Sequence, residues 1–403
     1  MTMRHAITAG FVPLLDSALL VAAREKGFAE AQSIDLTLVR ERSWASIRDR
    51  LAVRQFDVAH ILGPMPIACN LGLSAPAPKM IVPMALGLGG NAVTVSAVLW
   101  QAMAGAGATD DLDARRNGAA LRKVIDGRGG EPLRFGVVHP YSGHNYELRY
   151  WLAASGVDPD RDIEILVLPP PDMGDALAEG LIDGYCAGEP WNTFGVLKRG
   201  AHLATVKAAI WKSSPEKVLG VNARWGEANP EALAALLVAL HHASIWCGDA
   251  RNHTELARLL ALPAYVGRAA DLLLPALSGN LPVGGSVVRP VGDFFVPHAK
   301  AATFPWKSHA LWFYTQMVRW RQVAHTEANR EIAAKTYRPD VYRAALKALG
   351  IAMPSASAKV EGALTTETPV GSSGALTLGP DGFFDGGRFD PDAVDGYIAA
   401  QSR

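Results

Sequence analysis

Cysteine is scarce in this chain, charge of either sign is balanced, and long apolar runs are few; each shortage removes a class of protein. Only three cysteines occur in 403 residues, Cys69, Cys186 and Cys247. They are odd in number and widely spaced, so neither a disulfide framework nor a cysteine zinc site is supported, and buried apolar thiols are expected. Lys plus Arg and Asp plus Glu are each 39. That balance leaves no long-range field to steer the molecule toward nucleic acid or an acidic membrane, so a charged ligand must be caught locally. No stretch is read as reaching the roughly 18 apolar residues that a bilayer crossing takes, and no membrane span is expected.

Catalytic signatures are missing as well. No serine sits in a G-x-S-x-G elbow, and neither HExxH nor a phosphate-binding P-loop occurs. LGLGGNAVTVS lacks the third spaced glycine of a dinucleotide fingerprint and runs into a strand rather than a helix. No catalytic residue, metal ligand or cofactor is assigned, and the chain is not read as an enzyme.

What is present is apolar sequence sufficient for a large core, 49% of the chain, in a length that exceeds the usual single domain; two lobes are expected. IDLTLVR, WASIRDRLAVRQ, FDVAHIL, PMPIACNLGL and KMIVPMAL alternate apolar runs with amphipathic patterns, the rhythm of a parallel sheet covered by helices. A second such block holds LRFGVVH, YELRYWLAASG, IEILVLP, DMGDALAEGL and DGYCAGEPW. Residues 1–95 plus 214–345 are assigned to one lobe and 96–213 to the other. Residues 346–403 form a C-terminal extension rich in Ser, Thr, Gly and Pro, either an extended strap or partly disordered. The apolar N-terminus is interrupted by Pro13 and Asp16 and has no small-residue cleavage site. It reads as strand, turn and helix, so the expected location is the cytoplasm, or the periplasm if the true start lies upstream of Met1.

The turn HPYSGHN lies between a strand pattern and a helix pattern, at the carboxyl edge of a sheet, where the first helical amides carry partial positive charge. Ser142 or Asn145 caps that helix. His144 either donates to an oxyanion or satisfies a neighbouring carbonyl, and His139 reads as structural. Asn91, with the amides of Gly89 and Gly90, either presents donors at a strand start or forms an ordinary turn. Trp44 opens WASIRDRLA and either shields a pocket or fills the core. Gly188 ends another strand in AGEPWN, where its amide is a candidate donor, while Glu189 and Trp191 are read as packing. Lys217 stands at the entrance to KVLGV, and His298, Lys300, Lys307 and His309 are assigned to loop packing. The set is rich in donors with no pair of acids in view. It suits a small anion that only accepts hydrogen bonds, and it lacks a nucleophile and base.

The ordered series GFVPLLDSALLVAAREKGFA, SWASIRDRLAVRQFDVAHILGPMP, GLGGNAVTVS, SGHNYELRYWLAASGVDPDRD, YCAGEPWN, SPEKVLGV and FPWKSHALWFYTQMVRW resembles the nitrate-binding and bicarbonate-binding solute receptors of ABC uptake systems, from residue 5 to about 345. The resemblance implies an α/β protein of type II periplasmic-binding-protein fold, with two doubly wound parallel-sheet lobes that close on a ligand about a hinge. It also implies that the ion is held by Trp44, by a side-chain amide that falls on Asn91 where the family carries glutamine, by His144, by Gly188 and by Lys217. Bicarbonate-binding relatives carry an acid at the last position and recruit calcium, so the lysine implies nitrate or nitrite without metal. Because no export signal is read, the resemblance points first to cytoplasmic nitrate or nitrite sensors that sequester and release an RNA-binding antiterminator partner. The alternative is the substrate-binding component of an ABC nitrate/bicarbonate uptake system. The thiamine-pyrimidine enzymes of the same superfamily carry a cysteine cluster that these scattered cysteines do not form.

Overall fold

HAITAGF forms β1 (His5–Phe11), and the next apolar runs form β2 (Ile34–Arg40), β3 (Val58–Leu62) and β4 (Met80–Ala85). In this computed structural model, which describes residues 4–371 and 375–401, these strands belong to a first five-stranded sheet. After a two-residue strand β5 (Leu88–Gly89), the chain continues through β6 (Asn91–Val95), β7 (Leu133–Val137), β8 (Ile163–Val167), β9 (Gly184–Gly188) and β10 (His202–Val206), then β11 (Lys217–Asn222). The sheet orders are β2-β1-β3-β11-β4 and β10-β6-β9-β7-β8. Read from its other edge, the second sheet repeats the arrangement of the first.

The parallel strands are as the alternating pattern implies, but each sheet also holds an antiparallel crossing strand. β11 runs against β3 and β4, and β6 runs against β9 and β10. The reason is the path of the chain, which leaves the first sheet after β4 and enters the second as β6, then returns after β10 as β11. A strand that begins at the seam between lobes must run opposite to strands that end there. β6 therefore hydrogen-bonds in the second sheet, although its residues fall on the first-lobe side of a division at residue 95. The crossings also bring Asn91 opposite Gly188 and Lys217 opposite Leu62, two strand starts facing two strand ends.

One expectation about apolar runs is corrected. The helix Pro230–Gly248 has 19 residues and a mean hydropathy of 1.3, enough by length and composition to cross a bilayer. Here Leu233, Leu236, Leu237, Leu240 and Ala243 are buried, in contact with the helix Ala18–Glu25. A helix enclosed by other helices and a sheet is apolar on most sides for the same reason a membrane span is.

The described residues of the C-terminal extension lie against both lobes like a strap. Phe383 stacks on Trp211 with ring centroids 4.5 Å apart. Arg115 of the second lobe donates to the Phe384 carbonyl at 2.8 Å, and the Tyr150 hydroxyl donates to Asp385. On the other side, Ser308 donates to the buried Glu361 at 2.6 Å, and Lys359 pairs with Asp381 at 2.5 Å. The final helix, Val394–Gln401, receives a hydrogen bond from Trp312 through Tyr397.

Candidate functional site

Trp44 is the first residue of the helix Trp44–Ala52, whose Ser43 cap accepts from the Ser46 amide at 3.2 Å. That cap satisfies one of the free amides of the first turn, on which Trp44 stands. The ring is buried beside His60, and its Nε1–H finds no hydrogen-bond partner among the described residues. Asn91 begins β6, fully buried, and both atoms of its side-chain amide are likewise without a partner. His144 is the second residue of the helix Gly143–Ala154, capped by Ser142, which accepts from the Asn145 amide at 3.0 Å. Neither His144 ring nitrogen makes a hydrogen bond to the described residues, and Nδ1 lies 3.5 Å from Glu216 Oε1. A buried polar atom left unpaired costs about 1–3 kcal/mol, so a cluster of them marks a place built for something else to complete.

Lys217 opens β11 and is fully buried, not solvated. Its ammonium pairs with Asp16 at 2.8 Å and Glu216 at 2.6 Å, and lies 5.5 Å from the centre of the Trp44 ring. Burial alone would lower this lysine, but Asp16 and Glu216 outweigh it and hold it above its ordinary value. Burial would likewise raise Asp16; Lys217 and His60 pull its carboxyl down to about 2. Gly188 closes the ring of contacts. A side chain there would meet Leu14 at 3.2 Å, Asn91 Oδ1 at 3.3 Å and Asp16 at 3.6 Å, so both lobes press against this one backbone position.

Trp44, Lys217 and Asp16 come from the first lobe, and Asn91, Gly188 and His144 from the second; the structure brings all five sequence-named residues to one seam. The seam is closed. The Leu15 amide donates to the Glu189 carbonyl at 2.8 Å across it, and Trp191 Nε1 donates to the Pro13 carbonyl at 3.1 Å.

The donor-only picture needs correction. Acids do face the site, and they take up its cation. Glu216 also reaches the start of the His144 helix, where a Cβ on Gly143 would fall 2.5 Å from its carboxylate. The helix terminus that the sequence offered to an incoming anion thus already faces a carboxylate of the chain itself. Glu216 pairs in turn with Lys207, which pairs with Glu147 at 2.8 Å. Asp16, His60, Glu147, Lys207 and Glu216 were not assigned to the site from the sequence. Asp16, His60 and Lys207 share one signal, a charged or titratable residue inside an apolar run (LLDSALL, VAHIL, ATVKAAIW), where it is tolerated only with a partner; Glu147 and Glu216 have no such signal.

The Gly89 and Gly90 amides are not free donors, because they bond to the Ser214 and Phe294 carbonyls at 3.0 and 2.6 Å. His139 accepts from the Tyr141 amide, and Asn145 donates to the Pro140 carbonyl. His298 pairs with Ser244 and Lys300 with Asp293. These residues hold loops.

Two sheets of matching strand order, joined by crossing strands and meeting on a polar seam, define a two-lobed binding protein of the periplasmic-binding-protein fold. The crystal structure of the periplasmic nitrate-binding protein NrtA from Synechocystis PCC 6803 superposes with a TM-score of 0.86 at 26% identity, covering 99% of this chain and 98% of that one. The chain belongs to the NMT1-like family, whose profile matches residues 3–261. It is 33% identical over 401 residues to the nitrate/nitrite binding protein NrtA of Synechococcus elongatus, covering 97% of this chain and 85% of that protein. It is also 36% identical over 344 residues to the nitrate import ATP-binding protein NrtC of Synechocystis, covering 85% of this chain and spanning 50% of that longer relative. Both NrtA relatives are nitrate-binding proteins.

Proposed function

We propose that the chain captures a small oxyanion, nitrate or nitrite, at the seam between its lobes, as the substrate-binding component of an ABC uptake system for nitrate or bicarbonate. The observation that carries this reading is the convergence of unpaired buried groups from both lobes, Trp44 Nε1, the Asn91 amide and the His144 ring, around the Lys217 ammonium. A trigonal oxygen species that accepts in its own plane would satisfy donors arriving from several directions. Because the donors come from both lobes, the ligand binds the closed arrangement better than an open one and shifts the population toward it.

The import-system relatives favour the uptake receptor over the cytoplasmic sensor with an antiterminator partner, to which the sequence pointed first. Cell fractionation separates the two, since a receptor is recovered with the periplasm and a sensor with the cytoplasm. Isothermal titration of ligand-free protein with nitrate, nitrite and bicarbonate, the last with and without calcium, tests the chemistry. Micromolar binding of nitrate or nitrite, corresponding to about 8 kcal/mol, is expected. Absence of heat with both overturns the reading.

A further inference from the structure

His144 is placed where a neutral imidazole is one hydrogen short. Its ring is fully enclosed, and Nδ1 faces the Glu216 carboxylate at 3.5 Å, a group that only accepts. On the oxyanion reading above, on which this inference rests, the bound ion is a second group that only accepts. A neutral ring has one N–H to offer these two acceptors, whereas an imidazolium has two. We infer that anion capture at this seam is coupled to uptake of one proton, which settles on His144 and leaves it bridging Glu216 and the ion.

The surrounding charges make the same demand. Facing the ring are Glu216 and Lys217 at the start of β11, Lys207 from the helix Lys207–Ile210, and Asp16 from the segment after β1. Its own helix contributes Glu147, and β9 contributes the Cys186 thiol, which burial keeps protonated. The helices Lys307–Arg319 and Ala114–Asp126 also pack on the His144 helix, through Phe313 against Tyr146 and the Ala114 carbonyl against Trp151. Two ammonium groups, Lys207 and Lys217, are thus matched by two paired carboxylates, Asp16 and Glu216. Burial raises Glu147 to about 8 against the pull of Lys207 at 2.8 Å, so its uncharged acid form prevails only below that pH.

The cluster is balanced before the ion arrives, and an added buried anion without a counter-charge is strongly disfavoured. A proton on His144 restores the balance. In the free protein, burial holds the ring down to about 3, with Glu216 pulling upward and Lys217 and Lys207 pushing down. An anion set against the ring moves it upward. The positive helix terminus works against an imidazolium, and the Glu216 carboxylate lying at that terminus offsets it.

Where the free ring is neutral and the bound ring charged, nitrate affinity falls about tenfold for each pH unit gained. The test is calorimetric titration of the full chain with nitrate in phosphate and in Tris at pH 7, repeated from pH 6 to pH 8. The expected result is a heat that differs between buffers by one proton's worth of buffer ionisation, with a dissociation constant that rises across the series. His144→Gln should bind more weakly, with heats independent of buffer. Wild-type heats that do not depend on buffer, together with a flat affinity profile, overturn the inference while leaving anion binding intact. Proton uptake that persists in His144→Gln also overturns it, because the proton then settles elsewhere. No heat with nitrate or nitrite in either buffer removes the oxyanion reading itself, and this inference with it.

Discussion

Among the described residues, one buried ionic cluster lies at the seam between the lobes and another under the C-terminal strap. In each, a lysine is shared by two carboxylates: Lys217 by Asp16 and Glu216, and Lys359 by Glu361 and Asp381. Each has a buried histidine at a similar distance from a carboxylate, His144 at 3.5 Å from Glu216 and His309 at 3.4 Å from Glu361. The clusters part in what remains unpaired. Under the strap, Ser308 satisfies Glu361 and the Leu364 amide satisfies Asp381 at 2.8 Å, leaving His309 Nε2 and the neighbouring Trp211 Nε1 without a hydrogen bond among the described residues. At the seam, the Trp44 indole N–H, the whole Asn91 amide and both nitrogens of His144 are left over. A buried ion pair holds chain segments in register and is weak evidence of function; a concentration of unpaired donors beside it is stronger evidence.

The sharpest way to break this comparison is to remove each lysine in turn. Lys217→Met and Lys359→Met each remove the ammonium shared by two buried carboxylates, and each should cost about 3–5 kcal/mol of stability in chemical denaturation. Only Lys217→Met should abolish nitrate binding measured at a temperature where both variants are folded. Equal loss of binding in both would mean that the seam has no special standing.

A smaller and more selective effect is expected at Trp44. Trp44→Phe keeps the ring over Lys217 and deletes an N–H that bonds to nothing among the described residues. Nitrate should bind about 10- to 150-fold more weakly, the value of a hydrogen bond to a charged group, while the ring volume vacated in the core costs about 1–2 kcal/mol of stability. A large stability loss with unchanged affinity would assign the indole to the core.

Acid should act on both clusters together. Asp16 and Glu361 are each held near 2 against ordinary values of 3.8 and 4.5; burial opposes this, and their lysine partners prevail. Their folded values lie below their unfolded ones, so the stability they contribute is present above about pH 4.5 and is lost as pH falls toward 2. Glu147 has the opposite sign and occurs at the seam. Burial raises it from 4.5 to about 8, so its contribution is complete below 4.5 and is lost as pH rises through 8. Glu147→Gln should flatten the decline in stability between pH 5 and 8 measured by urea unfolding, and an unchanged slope would contradict the assignment.

The smallest effect is expected at Asn91, where Asn91→Gln lengthens the amide toward the ion and should tighten nitrate binding by no more than about 1 kcal/mol, read by titration.

Much of this was legible in the residues, for identifiable reasons. Strand ends announce themselves by the change from apolar to turn chemistry, so Asn91, Gly188 and Lys217 could be placed at element ends without coordinates. The Ser142 cap follows from its place before a helical pattern. The antiparallel entry of β6 and β11 was not legible, because the pattern of apolar residues carries no strand direction and the crossing is fixed by which lobe the chain leaves. The acids were missed for another reason. Asp16 was read as an interruption of an apolar run, and Glu216 was passed over beside the more conspicuous Lys217. The meaning of Asp16 depends on Lys217 and His60, which the fold supplies from distant sequence, and that of Glu216 on its burial between Lys207 and Lys217. The strap's order was open for the same reason: Phe383 and Glu361 look unremarkable until Trp211 and Ser308 stand beside them.

The most direct test of the central claim is a crystal structure of the protein grown with nitrate. The account predicts one ion at the seam, within hydrogen-bond distance of Trp44 Nε1, the Asn91 amide and His144, and against the Lys217 ammonium. Nitrate bound elsewhere, with those groups turned to partners within the protein, would contradict it.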